Sequence, residues 1–163
     1  MIIKVKNKET LKIDLFKFKC SIGKKGFTKK KVEGDKKTPI GKFKIGSLYY
    51  RKDRIGELET SLKKIQIKKN MGWCNDINSK KYNQLITINK KIKHERLYRK
   101  DYKYDLLIPI HYNTNPIIKN KGSAIFIHLT KNYKETVGCI ALSKKDFLIL
   151  LKIINSKTKI KIF

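Results

Sequence analysis

Two side chains able to do covalent chemistry lie close together late in this 163-residue chain. His128 closes the apolar run Ala124-Ile125-Phe126-Ile127, and Cys139 follows Gly138, a separation of 139 − 128 = 11 residues. A thiolate is a strong nucleophile and an imidazole can take the thiol proton, so the pair has the composition of a nucleophile and its base. In an extended run, Ala124, Phe126 and His128 project to one side and Ile125, Ile127 and Leu129 to the other. A histidine ending such a strand has one ring face packed and one nitrogen open to a polar loop. The glycine before Cys139 removes a side chain and lets a substrate backbone approach the sulfur. On this reading the two form a thiolate–imidazolium pair, with the cysteine pKa lowered by the charged ring. The competing reading is a buried structural cysteine and an unrelated histidine.

Other constellations are weaker. Cys74 beside Trp73 has an aromatic setting that favours burial, while His94 and His111 are alternative bases or substrate binders. His94-Glu95 lacks the second histidine of an HExxH zinc helix, and no GxSxG elbow or GxxxxGK[ST] loop is present. No metal or cofactor is therefore expected. Three cysteines, Cys20, Cys74 and Cys139, give no disulfide framework; a Cys20–Cys74 bridge would leave Cys139 as the free thiol.

The elements that must position these residues read mostly as strands. Lysine alternates with Ile, Val or Phe in IIKVK at 2–6, LKIDLFKFKC at 11–20 and GKFKIG at 41–46. LITINKKIK at 85–93, LLIPIHYN at 106–113 and the final TKIKIF continue the pattern, whereas 47–84 reads as loop. One helix is predicted after Ser143, with Asp146 three residues on and an apolar face of Phe147, Leu150, Leu151 and Ile154.

Composition bounds the partners. The chain carries 41 basic and 13 acidic residues, a net charge of +28, which attracts polyanions. The excess is almost all lysine spread over the whole length, and arginine occurs only at 51, 54, 96 and 99. That distribution favours solvated lysine faces over a dedicated nucleic-acid site. The opening MIIKVKNKETLKIDL lacks the apolar core and cleavage site of a signal peptide, and no apolar run has transmembrane length.

The ordered motifs carry a family resemblance. His128, a spacer and Thr136-Val137-Gly138-Cys139 resemble the catalytic signature of the YkuD-type L,D-transpeptidases. Glu33 to Phe43, with Thr38-Pro39-Ile40-Gly41 inside it, is similar to that family's glycine and Thr-Pro-x-Gly element. Between them, the stretches 72–76, 81–83, 94–97, 101–105, 112–113 and 122–128 are similar to one branch of the family. The matches run in order over most of the chain, which core packing alone would not require.

The resemblance implies one catalytic domain over residues 1–163, mostly β and sandwich-like with a packed C-terminal helix. It makes Cys139 the nucleophile, His128 its base, the Leu129 carbonyl the group that orients the imidazole, and the Gly138 and Cys139 amides an oxyanion hole. Tyr112, Asn113, Ser123, His94 and Thr136 are then expected at the substrate cleft. Two positions depart from the best-known branch: Val137 stands where it has His, and Ala141 where it often has Asn or Arg, so a substrate carboxylate would be met by a Lys or by Arg99. The implied reaction is acyl transfer on peptidoglycan stem peptides through a Cys thioester, giving a 3→3 cross-link with an amine acceptor or L,D-carboxypeptidase action with water. The expected setting is the periplasm or cell envelope and the expected state a monomer. The rivals are another thiol acyl hydrolase or amidase, a non-catalytic basic module that binds polyanions, and a structural protein with a merely buried Cys139.

Overall fold

The computed structural model describes residues 1–163 and is mostly β, with one ten-residue helix. Ten strands form one curled sheet in the order Gly41–Lys44, Lys159–Ile162, Ile2–Asn7, Thr10–Ile13, Phe16–Ser21, Ile140–Leu142, Phe126–Leu129, Leu106–Pro109, Leu48–Tyr50, Lys64–Gln66. One end curls back onto an inner strand: past Gly41–Lys44, Ile45 bridges Ile110 after Leu106–Pro109, and the His111 amide donates to the Lys44 carbonyl at 2.9 Å. Where lysine alternates with branched apolar residues, in the outer strands, each strand buries one face. Ile3, Val5, Leu11, Ile13, Ile160 and Ile162 are all at most 1% exposed.

Inside the curl lies the helix Lys144–Ile153. Ser143 caps it, its Oγ accepting from the Asp146 amide at 3.1 Å, as the sequence predicts. The stripe Phe147, Leu150, Leu151 and Ile154 is buried in the larger of two hydrophobic cores. The smaller core lies on the other face of the central strands. Ile125, Ile127 and Leu129 enter the large core, and Ala124 and Phe126 enter the small one. The side-by-side alternation read from the sequence is therefore the division between a structural face and the face that carries Cys139.

Three local expectations change. The run 11–20 is a hairpin rather than one strand: Ile13 pairs with Phe16 across Asp14-Leu15, and Asp14 has φ 48°. The apolar positions switch from odd to even there, and Leu15, the odd one left, is fully exposed. The run 85–93 breaks at an Asn89 turn, whose Oδ1 accepts from Lys91. Only Leu85–Thr87 is strand, and it and His94–Arg96 flank Met71–Cys74 in a three-stranded sheet. Finally, 47–84 contains Leu48–Tyr50, Lys64–Gln66 and Met71–Cys74, strands too short to show a period. All three cysteines are free and buried. No helix is long and apolar enough to cross a membrane.

Candidate active site

The strands Phe126–Leu129 and Ile140–Leu142 are parallel neighbours, with Ile127 opposite Ile140 and His128 opposite Ala141. Cys139 therefore enters its strand beside Phe126, whose amide donates to Sγ at 3.4 Å. His128 lies two residues farther along the adjacent strand and on the same face, an offset of roughly 7 Å along the strands. Both line one cleft of about 450 Å³, with Arg99, Lys103, Tyr104 and Ala141 on its walls. Cys139 also lines a second cleft of about 310 Å³, with Lys31, Glu33, Ser123 and Gly138.

The ring of His128 is fixed on both sides. Nδ1 lies 3.0 Å from the Leu129 carbonyl, which can only accept, so Nδ1 carries the proton and Nε2 keeps its lone pair. Tyr104 packs against the ring edge-on, centroids 5.4 Å apart. The Tyr104 hydroxyl donates to Glu95, a carboxyl that lines both clefts and that burial pushes above its usual range. The Arg99 guanidinium lies over the Tyr104 ring at 5.0 Å and is held by Asp101 at 2.6 Å.

Burial decides the resting protonation. His128 is lowered to about 4 by desolvation, the Leu129 hydrogen bond opposing in part, and Cys139 is pushed up to about 12 by desolvation and by Glu95. The thiol donates to the Ala124 carbonyl at 3.2 Å. The charged pair expected from the sequence is thus a neutral thiol and a neutral imidazole. The reason is that both side chains are buried, and two ions here would lose hydration.

Thr136 holds the turn that presents Cys139. Its Oγ1 accepts from the Gly138 amide at 3.1 Å and donates to the Cys139 carbonyl at 2.6 Å, and its backbone bridges Gly23. One of the two expected oxyanion donors, the Gly138 amide, is therefore engaged; the Cys139 amide has no protein acceptor. Gly138 has φ 141°, and a Cβ there would come within 3.0 Å of the Lys37 carbonyl. The Thr-Pro-x-Gly segment thus forms the wall next to the Gly-Cys turn, with Thr38 Oγ1 accepting from the Gly23 amide at 2.8 Å.

The structure brings together His128, Thr136, Gly138, Cys139 and Ser123. Ser123 faces the second cleft, where its Oγ donates to Glu33 at 2.7 Å. Tyr112, Asn113 and His94 line neither cleft. Tyr112 donates to the Lys121 carbonyl, Asn113 spans the loop to Ile118 and Gly122, and His94 is bonded to the Ile92 carbonyl beside Gly72. They shape the supports of the site. His111 stands at the seam between the ends of Gly41–Lys44 and Leu106–Pro109, away from both clefts.

Glu95, Tyr104, Lys31 and Asn83 complete the surroundings and were not legible as site residues. Glu95 and Tyr104 are joined across an aperiodic loop, and Lys31 is one of 41 basic residues. Asn83, at φ 57°, spends its whole amide on the frame. Its Oδ1 accepts from Trp73 Nε1 at 3.0 Å and from the Ala124 amide at 3.1 Å, and its Nδ2 donates to the carbonyls of Tyr112 and Asn113. Asn83→Ala removes the partners of two buried donors, Trp73 Nε1 and the Ala124 amide, and of two part-buried carbonyls, and is expected to destabilise the fold by about 2–4 kcal/mol in urea unfolding. A change under about 1 kcal/mol would show that water replaces the amide.

The profile of the L,D-transpeptidase catalytic domain (YkuD) matches residues 3–162, and the chain belongs to that family. Its fold is shared with the helical cell shape determining protein Pgp2 from Campylobacter jejuni, at 18% identity and a TM-score of 0.56. The K307A mutant of that protein matches at 17% identity and 0.55. Both alignments cover 99% of this chain and 46% of the other, so the chain spans about half the length of that protein. No curated protein matches the chain.

Proposed function

We propose that residues 1–163 form a cysteine-dependent acyl-transfer unit acting on peptidoglycan stem peptides, with Cys139 as nucleophile and His128 as base. One observation carries the reading: Cys139 lies on the wall shared by two clefts, and in one of them His128 has its Nε2 lone pair freed by the Leu129 carbonyl. Sγ adds to the carbonyl carbon of the amide that follows the L-centre of the diamino acid, and its proton passes to Nε2. The C–N bond then breaks as His128 returns that proton to the departing D-alanine amine, leaving a thioester on Cys139. An amine of a second stem, or water, attacks the thioester, gives its proton to Nε2 and regenerates the thiol.

The departures from the best-known branch find support for a consistent role. Ala141 leaves the floor of the His128 cleft open, and Arg99, Lys103 and Lys134 line it. A stem's terminal carboxylate meets these cations there. The net charge of +28 favours an anionic envelope polymer as surroundings, and the reading places the protein at the cell wall as a monomer.

The test is acylation by a carbapenem, followed by intact mass and peptide mapping, and then by release of D-alanine from a stem tetrapeptide. A single adduct on Cys139, absent in His128→Ala at neutral pH, is the expected result. Equal modification of Cys20 and Cys74, or none at all, removes the reading. Salt-sensitive polyanion binding unchanged in Cys139→Ala would then put the binding module first.

A further inference from the structure

We propose that Lys31 is a catalytic cation of this site, its ammonium joining the Cys139 amide in holding the negative oxygen that forms when the thiol attacks a carbonyl. The inference rests on the acyl-transfer reading and assigns a residue to it. Lys31 is 4% exposed, a rare state for a lysine, and its side chain lines the second cleft beside Gly138 and Cys139. His128 lines only the other cleft. The sulfur is therefore flanked by a base on one side and a buried cation on the other, the arrangement that attack on a carbonyl needs.

The placement of Lys31 is built by its neighbours. Its Nζ donates to Asp35 Oδ1 at 2.5 Å, and the same carboxylate accepts from the Lys37 amide at 2.9 Å and the Val32 amide at 3.0 Å. Asp35 is thereby locked into the loop and tethers the ammonium. That bond uses one of three N–H donors, and the other two have no protein acceptor. Gly122 makes room for the side chain, and Gly138 lies in contact range of its ammonium. Gly122 has φ 94°, and a Cβ on it would come within 2.8 Å of Lys31 Cγ; a Cβ on Gly138 would come within 3.6 Å of Nζ.

The site also lacks a donor that Lys31 supplies. The Gly138 amide is bonded to Thr136, which leaves the Cys139 amide as the free backbone donor of the Gly-Cys turn. As the S–C bond forms, the carbonyl π pair moves onto oxygen and the thiol proton goes to Nε2. The resulting oxyanion accepts from the Cys139 amide and from Lys31 Nζ. On collapse the C=O bond returns and the C–N bond breaks, with the proton passing from His128 to nitrogen. A charged donor in a confined cleft stabilises that oxygen more than a neutral one.

Two reactions of the same thiol separate this role from others. Acylation by a carbapenem passes through an oxyanion, and alkylation by iodoacetamide does not. Lys31→Met is expected to slow acylation about 100-fold while alkylation changes by no more than about threefold. Asp35→Asn keeps the ammonium but replaces its charged tether with a neutral amide oxygen, and is expected to slow acylation roughly tenfold. Unchanged acylation, a parallel fall in both reactions, or weaker carbapenem binding at an unchanged saturating rate overturns the proposal. If Lys31→Met does not melt cooperatively, Asp35→Asn decides alone, and an unchanged acylation rate there overturns it. A wild-type chain that is alkylated but never acylated removes the acyl-transfer reading itself, and this inference with it.

Discussion

Cys139→Ser is expected to lower D-alanine release from a stem tetrapeptide by at least about 10⁴-fold. The substitution keeps a small polar group between the Phe126 amide and the Ala124 carbonyl, so the fold and its melting temperature should change little. What is lost is a sulfur whose proton imidazole can remove; a hydroxyl there needs a stronger base than His128 provides. His128→Gln should cost roughly 10²–10⁴-fold by removing the proton carrier. The pH profile of the wild type separates this resting state from a preformed ion pair. With His128 near 4 and Cys139 near 12, activity should rise as pH passes about 4 and then stay flat through neutrality. A bell centred near pH 6 would instead reveal a charged pair and contradict the buried neutral one. Residual turnover of Cys139→Ser above about 1% of wild type would eliminate Cys139 as the nucleophile.

Acid should unfold the wild type sooner than His128→Gln. His128 titrates near 4 in the folded chain and at about 6.5 when unfolded, so between those values the unfolded state binds the additional proton. Stability from this group is complete above about pH 6.5 and is lost as pH falls toward 4, for a total of roughly 3 kcal/mol. Urea midpoints at pH 7.5 and pH 4.5 measure it. The drop should be smaller in His128→Gln by most of that amount, because carboxylate titration is common to both chains. Equal drops would mean that water reaches the ring and that the site is more open than its packing against Tyr104 implies. The same enclosure governs both results: what keeps His128 neutral at rest also makes its protonation costly to the fold.

The reading of residues 124–142 survived into three dimensions because both of its signals are local. Period-two alternation places Ile125, Ile127 and Leu129 in one core and Ala124 and Phe126 in the other, whatever packs on them. The Ser143 cap and the Phe147 stripe are equally local and equally visible. The places where sequence and structure differ share a cause. Tyr112, Asn113 and His94 have side chains suited to a substrate, and only the path of distant segments turns them toward the frame. The hairpin at Asp14 was written in a change of parity at Leu15, a signal present but fainter than the alternation around it.

By itself, then, the sequence determined the faces of the alternating strands, the single helix and the nearness of a thiol to an imidazole, since each depends on neighbours within a few residues, and the family pattern, since its motifs run in order along the chain. Only the tertiary structure decided what those groups are at rest. Burial makes the pair neutral, the parallel register sets Cys139 and His128 on one face, and Thr136 takes one oxyanion donor away. It also singled out Lys31 from 41 basic residues by enclosing it between Asp35 and two glycines. Solvation and distance act through space, and a chain read in order carries no measure of either until segments as far apart as residues 31, 95 and 139 line the same cleft.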